Sequence, residues 1–163
     1  IPRHAQRGAS IARLLKKNGL RVTRRTEHTI PPSDTDILIA DTTGEVDDFC
    51  AHARLIFVGG SMVKHGGHNV IEAAARGKAI IVGPHTDNFI DEVEYLRSRG
   101  ALEIAENEQE LASKWAEISG GKSARHRLEA ATIAAYRNLP DRVEDYIGLV
   151  AAAIDLHHAK TVQ

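Results

Sequence analysis

The segment FVGGSMVKHGGHNVIEAAARGK, residues 57–78, concentrates residue types that bind anions at one predicted turn. Four of its glycines have no side chain, so their backbone N–H groups can approach a ligand closely: Gly59, Gly60, Gly66 and Gly67. Ser61 adds a hydroxyl donor and Lys64 a positive charge. A helix predicted to start near His68 or Asn69 would point its unpaired N–H groups into the same space, which predicts a phosphate site. The spacing matches neither G-x-G-x-x-G nor Walker A, so a purely structural tight turn remains the alternative.

Glu72 adds a second chemical possibility to this turn. It follows Asn69 by three residues and therefore lies near the same face of the predicted helix. A carboxylate there can accept two hydrogen bonds from a sugar diol. The alternative is a capping-box residue that bonds only to the backbone of the first turn.

Histidines are frequent around the turn and raise the question of a metal: His4, His65, His68 and His85. No carboxylate lies at a recognisable ligand spacing from them, and a phosphate site uses histidine equally well as a donor. We therefore expect no metal and no cofactor. Cys50 is the only cysteine, which excludes an internal disulfide, and we expect it to be a small buried side chain.

The elements around the turn alternate between strand and helix, which predicts a parallel sheet in an α/β, Rossmann-like three-layer domain. In such sheets ligands bind at the carboxyl edge, where LIFVGG and IIVGP end in glycine. Strands are predicted at LRVTRR, DILIAD, RLIFVGG, KAIIVGP and ALEIA, and helices over 5–18, 45–53, 69–76, 89–99 and most of 107–163. Within this mainly helical tail, ISGGKSARH is predicted as a loop and 141–157 as an amphipathic helix.

Composition restricts the partners of the chain. Its 163 residues fit one domain, 1–163, and a net charge of -1 argues against a broad nucleic-acid surface. The apolar runs are far shorter than the ~20 residues that span a bilayer. We interpret the basic first helix as a solvated face. The start, IPRHAQRGAS, has neither Met nor a signal-peptide pattern, and we interpret it as a cut end that lacks a first strand or a larger upstream region.

Three segments in this order resemble a known family: PRHAQR, DTTGEVDDFCAHA and FVGGSMVKHGGHNVIEAAARGKAIIVGPHTDNF. They are similar to the C-terminal half of bacterial 3-deoxy-D-manno-octulosonic acid (Kdo) transferases, and the resemblance runs from residue 1 to about Ala105. It implies a GT-B fold, in which two Rossmann-like domains face each other across a cleft. The N-terminal domain holds the lipid A precursor and the C-terminal domain holds CMP-Kdo.

The resemblance implies that this chain is the donor-binding domain of an enzyme of lipopolysaccharide biosynthesis. The general base and the membrane contact belong to the N-terminal part of the family, so the resemblance implies no catalytic residue here. The full-length protein would work at the cytoplasmic face of the inner membrane, whereas this fragment would be soluble and inactive alone.

The resemblance also assigns roles to single residues. Arg3, with His4 beside it, would contact the donor phosphate, and Glu72 would bind the ribose hydroxyls. The turn Gly59-Gly60-Ser61 and Asn69 would hold phosphate and donor. Donors aimed at the phosphate neutralise the charge on departing CMP without a metal. Further possible pocket residues are Lys64, Gly66, Gly67, His68 and His85.

Two positions depart from the family pattern. Ala73 follows Glu72 where proline is usual, and alanine there is expected to extend the helix. His65 stands where arginine is common, and a neutral imidazole would attract phosphate less, although Lys64 can compensate.

Two other functions fit the same residues. A GT-B-type UDP-sugar 2-epimerase shares the fold and the ribose-binding carboxylate, and would prefer UDP over CMP. A non-enzymatic nucleotide-binding module would have no acceptor domain upstream in the same reading frame.

Overall fold

The computed structural model describes residues 1–139 and has an α/β architecture. Helices are α1 (Gly8–Lys17), α2 (Val46–His52), α3 (Ile71–Ala75), α4 (Ile90–Ser98), α5 (Glu108–Gly120) and α6 (Lys122–Arg137). Strands are β1 (Val22–Arg24), β2 (Ile37–Ile39), β3 (Leu55–Val58), β4 (Ala79–Val82) and β5 (Glu103–Ile104). Short 3-10 turns precede α1 and α4. The helix predicted over 141–157 lies outside the described residues.

All strand pairs are parallel, which confirms the predicted fold class. β1 pairs with β2, and β3, β4 and β5 form a second sheet in that order. The strands of residues 1–139 thus form two hydrogen-bonded sheets rather than the single sheet that the alternation predicts. α3 connects β3 to β4, and α4 connects β4 to β5. Each helix returns the chain to the start of the next strand, as parallel pairing requires.

β4 is the centre of the core, because helices cover both faces of its sheet. Ile80 and Val82 pack into one apolar cluster with residues of α4 and α6, whereas Ala79 and Ile81 pack into another with residues of α5 and α6. All four side chains are buried. This explains why the strand reads as an uninterrupted apolar run: successive side chains point to opposite faces, and both faces are dry.

α1 packs on the smaller sheet through one face. Ala12 is buried against Val22 and Ile39, and Ile11 and Leu15 lie at the edge of this cluster. The approach is closest at Gly8, where an added Cβ would lie 2.5 Å from an Asp41 carboxylate oxygen. Only a glycine therefore fits at this end of the helix.

Asp41, just beyond the end of β2, is a buried carboxylate that the sequence interpretation did not single out. It accepts hydrogen bonds from Arg24 Nε at 2.7 Å, from the Thr26 backbone N–H at 3.0 Å and from the Thr26 hydroxyl at 3.0 Å. Burial alone would raise the pKa of Asp41, but the bonds from Thr26 and Arg24 outweigh it and lower the pKa. The charged form therefore stabilises the fold.

The loop predicted at 118–126 is wrong, since α5 and α6 are separated only by Gly121. The Gly121 N–H donates to the Glu117 carbonyl at 2.8 Å, and the Gly121 carbonyl accepts from Arg125 N–H at 3.1 Å. One residue thus ends one helix and begins the next. ISGGKSARH looked like a loop because a Gly-Gly pair usually interrupts helices.

The helix predicted over 69–76 is shorter than expected. α3 begins at Ile71, because the Asn69 side-chain oxygen accepts the Ile71 N–H at 2.9 Å and ends the preceding loop with a local turn. Ala73 lies inside this helix and is buried. Among residues 1–139, no helix combines the length and the apolar character needed to cross a bilayer.

Candidate functional site

Two glycine-containing turns follow neighbouring parallel strands and are fixed to each other by Ser61. The Ser61 hydroxyl donates to the Val58 carbonyl at 2.6 Å and accepts the Gly83 N–H at 2.8 Å. The His85 N–H donates to the Ser61 carbonyl at 2.9 Å. We call this set of bonds the Ser61 bridge. It joins the turn after β3 to the turn after β4, so both lie together at the carboxyl edge of the sheet.

The Ser61 hydroxyl is buried and stabilises the fold of the two turns. Ser61 is fully buried, and its only proton goes to the Val58 carbonyl. In this conformation the hydroxyl therefore has no proton left to donate to a phosphate, which is the role expected for it. The hydroxyl instead pairs two backbone groups at the ends of β3 and β4, the Val58 carbonyl and the Gly83 N–H, because buried backbone groups need a hydrogen-bond partner.

Ser61→Ala is expected to lower the free energy of unfolding by about 2 kcal/mol, because the Val58 carbonyl and the Gly83 N–H lose a buried partner. Urea denaturation measures the change. Ser10→Ala is the matched control, since the Ser10 hydroxyl also bonds to a carbonyl, but on the exposed side of α1. Equal stability of the two variants would contradict the structural role of Ser61.

The second glycine pair, Gly66 and Gly67, is hydrogen-bonded to the first pair, Gly59 and Gly60. The Gly67 N–H donates to the Gly60 carbonyl at 3.1 Å, and the Asn88 N–H donates to the Gly66 carbonyl at 3.0 Å. Gly66 and Gly67 have φ of 77° and 74°, where side chains are rarely accommodated. A Cβ on Gly66 would lie 2.6 Å from Asn88 Cγ. These glycines are therefore required by the fold of the loop itself.

Asn88 was not among the predicted site residues. Besides its backbone bond, its side-chain Nδ2 donates to the His65 carbonyl at 3.3 Å and holds the loop over 61–67 in place. The available signal was its position in GPHTDNF, a segment that follows a predicted strand just as the Gly-Gly turn does.

The N-terminal segment reaches the glycine turns through Arg3. Arg3 Nη1 lies 3.5 Å from His68 Nδ1, a contact between residues 65 positions apart. The His68 ring covers Gly60, where an added Cβ would be 3.2 Å from Nε2. Arg3 and His68 are thus placed beside the first Gly-Gly turn. The neighbouring His4 is exposed and only begins the 3-10 turn of Ala5–Arg7.

Glu72, in the first turn of α3, and Asn69, two residues before the helix, are both exposed. Within the described part of the chain, the Glu72 carboxylate has neither a hydrogen-bond partner nor an ion-pair partner, so the capping-box alternative is not realised. The Asn69 side-chain oxygen accepts a hydrogen bond at the start of α3, and its NH₂ group has no hydrogen-bond partner among residues 1–139. Burial raises the pKa of the Cys50 thiol, and the nearby charges of Glu72 and Asp47 raise it further. Cys50 is buried, as expected.

The remaining predicted residues lie in the first glycine turn or on the loop between the two glycine pairs. Lys64 and His65 are exposed on the loop between the glycine pairs. A Cβ added at Gly59 would meet no described atom within 4 Å, so the fold itself does not require a glycine there. The contacts above bring together Arg3, Gly60, Ser61, Gly66, Gly67, His68 and His85. Residues 1–139 contain no group of three or more His, Cys, Asp or Glu side chains that could hold a metal ion.

Comparison with known proteins finds relatives that share one name. The chain is 35% identical over 129 residues to the 3-deoxy-D-manno-octulosonic acid transferase of Haemophilus influenzae, and 36% identical over 157 residues to that of Bordetella pertussis. These matches cover 78% and 91% of this chain, but only 30% and 36% of the relatives. The chain therefore spans about a third of their length. No family model matches it.

A solved structure has the same fold. The C-terminal CMP-Kdo binding domain of WaaA from Acinetobacter baumannii superposes with a TM-score of 0.76 and 27% sequence identity. The superposition covers 83% of this chain and 70% of that one.

Proposed function

Because this chain belongs to the 3-deoxy-D-manno-octulosonic acid transferase family, in which it matches a C-terminal domain, we propose that it binds the sugar donor CMP-Kdo. The observation that carries this proposal is the assembly of the site: Arg3 and the Ser61 bridge place three separate segments at the carboxyl edge of β3 and β4. Ligands of parallel α/β sheets bind at that edge.

The phosphate of the donor would lie against the first glycine turn. Arg3 supplies a guanidinium, Gly59 and Gly60 supply backbone N–H groups, and Asn69 supplies its NH₂ group, which has no partner in the described part of the chain. Gly59 supports this assignment, since the fold leaves open space where its side chain would be and a ligand can approach the backbone. Such donors neutralise the charge that grows on CMP as it leaves. His4, Lys64, His68 and His85 would line the same pocket, whereas Ser61 would position the turn.

The ribose would bind to Glu72. Its carboxylate is exposed and has no partner in residues 1–139, so its full acceptor capacity is available to two hydroxyl groups. Since α3 begins at Ile71, Glu72 lies in the first turn and beside the glycine loop. Phosphate and ribose sites would thus be neighbours, as they are in a nucleotide.

We further propose that the domain is part of a longer glycosyltransferase that transfers Kdo to a lipid A precursor in lipopolysaccharide biosynthesis, at the cytoplasmic face of the inner membrane. The acceptor site and the general base would lie outside this chain, which would be inactive alone. The division of the strands supports an additional upstream strand, since residues 1–139 form two separate parallel sheets that one further parallel strand between them would join.

Calorimetric titration with CMP tests the proposed function. We expect weak but measurable binding, and roughly 10- to 100-fold weaker binding for Glu72→Ala, because hydrogen bonds to a charged group are lost. Glu108→Ala is the control, since Glu108 is also an exposed glutamate in the first turn of a helix, α5, and we expect it to bind CMP as the unaltered chain does.

Two results would contradict the proposal. Absence of CMP binding at millimolar concentration would exclude a donor site in the isolated domain. Preference for UDP over CMP would favour the epimerase alternative, which shares the ribose-binding carboxylate.

A further inference from the structure

Helix α1 and the turn before it carry a strongly basic surface. Residues 1–26 contain no Asp or Glu, while the exposed residues Arg7, Arg13, Lys16 and Lys17 lie on or next to this helix. We call these four residues the α1 cations. The buried side of α1, with Gly8 and Ala12, faces β1 and β2, so the cations point away from the domain.

The α1 cations differ from the arginines that follow them. Arg21, Arg24 and Arg25 each form an ion pair with a carboxylate of the same sheet region. None of the α1 cations has an acidic group within 4.0 Å among residues 1–139. Their positive charge is therefore not neutralised locally, although the whole chain has a net charge of -1.

A large apolar side chain lies among these charges. Leu14 is 62% exposed, on the α1 turn between Arg13 and Lys17. The helix has ten residues, which makes it about 15 Å long. Cationic side chains on a helix attract anionic headgroups, and an apolar side chain among them can insert at the boundary between headgroups and acyl chains.

We propose that α1 docks on an anionic lipid surface, with the α1 cations on the headgroups and Leu14 inserted between them. Each cation near such a surface contributes to binding, so the cluster as a whole can hold the domain at a membrane that contains acidic lipids. This gives the domain a membrane contact of its own, in addition to any contact made by a region outside the chain. It does not rest on CMP-Kdo binding.

The observations favour lipid over nucleic acid. The cationic face extends over one short helix only, and the paired arginines beyond it do not prolong it, so it does not form a stripe along which a duplex could lie. Leu14 has no role on a phosphate backbone, whereas in a bilayer interface its burial adds to binding.

Vesicle sedimentation tests the proposal with the full chain. We expect binding to vesicles of phosphatidylcholine and phosphatidylglycerol in equal parts, weakening with salt, and none to phosphatidylcholine alone. The triple variant Arg13→Gln, Lys16→Gln, Lys17→Gln should bind the anionic vesicles on the order of 100-fold less. Leu14→Ser should bind them roughly 10-fold less with an unchanged salt dependence.

A control variant that loses the same number of charges distinguishes an effect of α1 on vesicle binding from an effect of the net charge of the chain. Arg54→Gln, Lys122→Gln, Arg137→Gln removes three exposed cations elsewhere and should bind anionic vesicles as the unaltered chain does. Equal loss in both triple variants, equal binding to neutral and anionic vesicles, or no binding to either would overturn the proposal. Tighter association with a short DNA duplex than with anionic vesicles at the same ionic strength would overturn it in favour of nucleic acid.

Discussion

Gly83→Ala is expected to destabilise the domain by about 3 kcal/mol, because the new methyl group would overlap with backbone that cannot move away. An added Cβ would lie 2.5 Å from the Ser61 carbonyl carbon and 2.7 Å from the Met62 nitrogen. Relief would require separating the turns that the Ser61 bridge holds together, at the cost of its buried hydrogen bonds. The free energy of unfolding from urea denaturation measures the effect.

Gly59→Ala is the matched control for this prediction. It lies in the turn after the neighbouring strand, has no positive φ, and has no described atom within 4 Å of its added Cβ. We expect its stability to stay within ~0.5 kcal/mol of the unaltered chain. If it also binds CMP more weakly, the open space above Gly59 is used by the ligand. Equal destabilisation by the two alanines would show that the Gly83 contact is not decisive.

Asp41→Ala is expected to cost about 3 kcal/mol, because Arg24 and the Thr26 N–H lose the buried charge that they bond to. Asp34→Ala is the control, since Asp34 is mostly exposed and only 4.0 Å from Arg21, and a pair of this kind contributes little. Equal unfolding free energies for the two variants at neutral pH would contradict the prediction.

The contribution of Asp41 also predicts a pH dependence. The pKa of Asp41 is lowered in the folded state, so the folded chain holds the proton less tightly than the unfolded chain does. The stabilisation is therefore fully present above the ordinary aspartate value of 3.8 and is lost as the pH falls below it. The difference in unfolding free energy between the unaltered chain and Asp41→Asn should shrink from neutral pH to about pH 3. A difference that stays constant would contradict the lowered pKa.

The local pattern of the sequence was sufficient for the fold class. The apolar runs of β3 and β4 predict strands that are covered on both faces, and the structure buries Ile80 and Ile81 on opposite faces of the sheet. The end of α5 was predicted poorly, because Gly120 is still part of the helix as its last residue and only Gly121 separates it from α6. Whether a glycine interrupts a helix depends on the packing of that helix against residues distant in the sequence, and the neighbouring residues alone do not reveal this packing.

The segments that form the candidate site were easier to predict than the contacts of their individual residues. The family resemblance implied that Arg3 and the glycine turns bind the same phosphate, and the structure places Arg3 beside these turns, 3.5 Å from His68. The role of Ser61 depends on Gly83, which lies 22 positions away, and that of Asp41 on Arg24, 17 positions away. Such pairings follow from the register of the strands, which residue types alone do not specify.

The Ser61 bridge determines how the site can be transplanted. A protein engineer who copied only the first glycine turn and α3 onto another parallel sheet would leave the Ser61 hydroxyl without the Gly83 N–H, and the loop over 61–67 without Asn88. The smallest portable module for the two turns and α3 therefore consists of two discontinuous pieces, 58–75 and 82–89, taken from adjacent strands in their original register, and Arg3 has to be supplied by a third piece. A host sheet is suitable only if its neighbouring strands end level with each other.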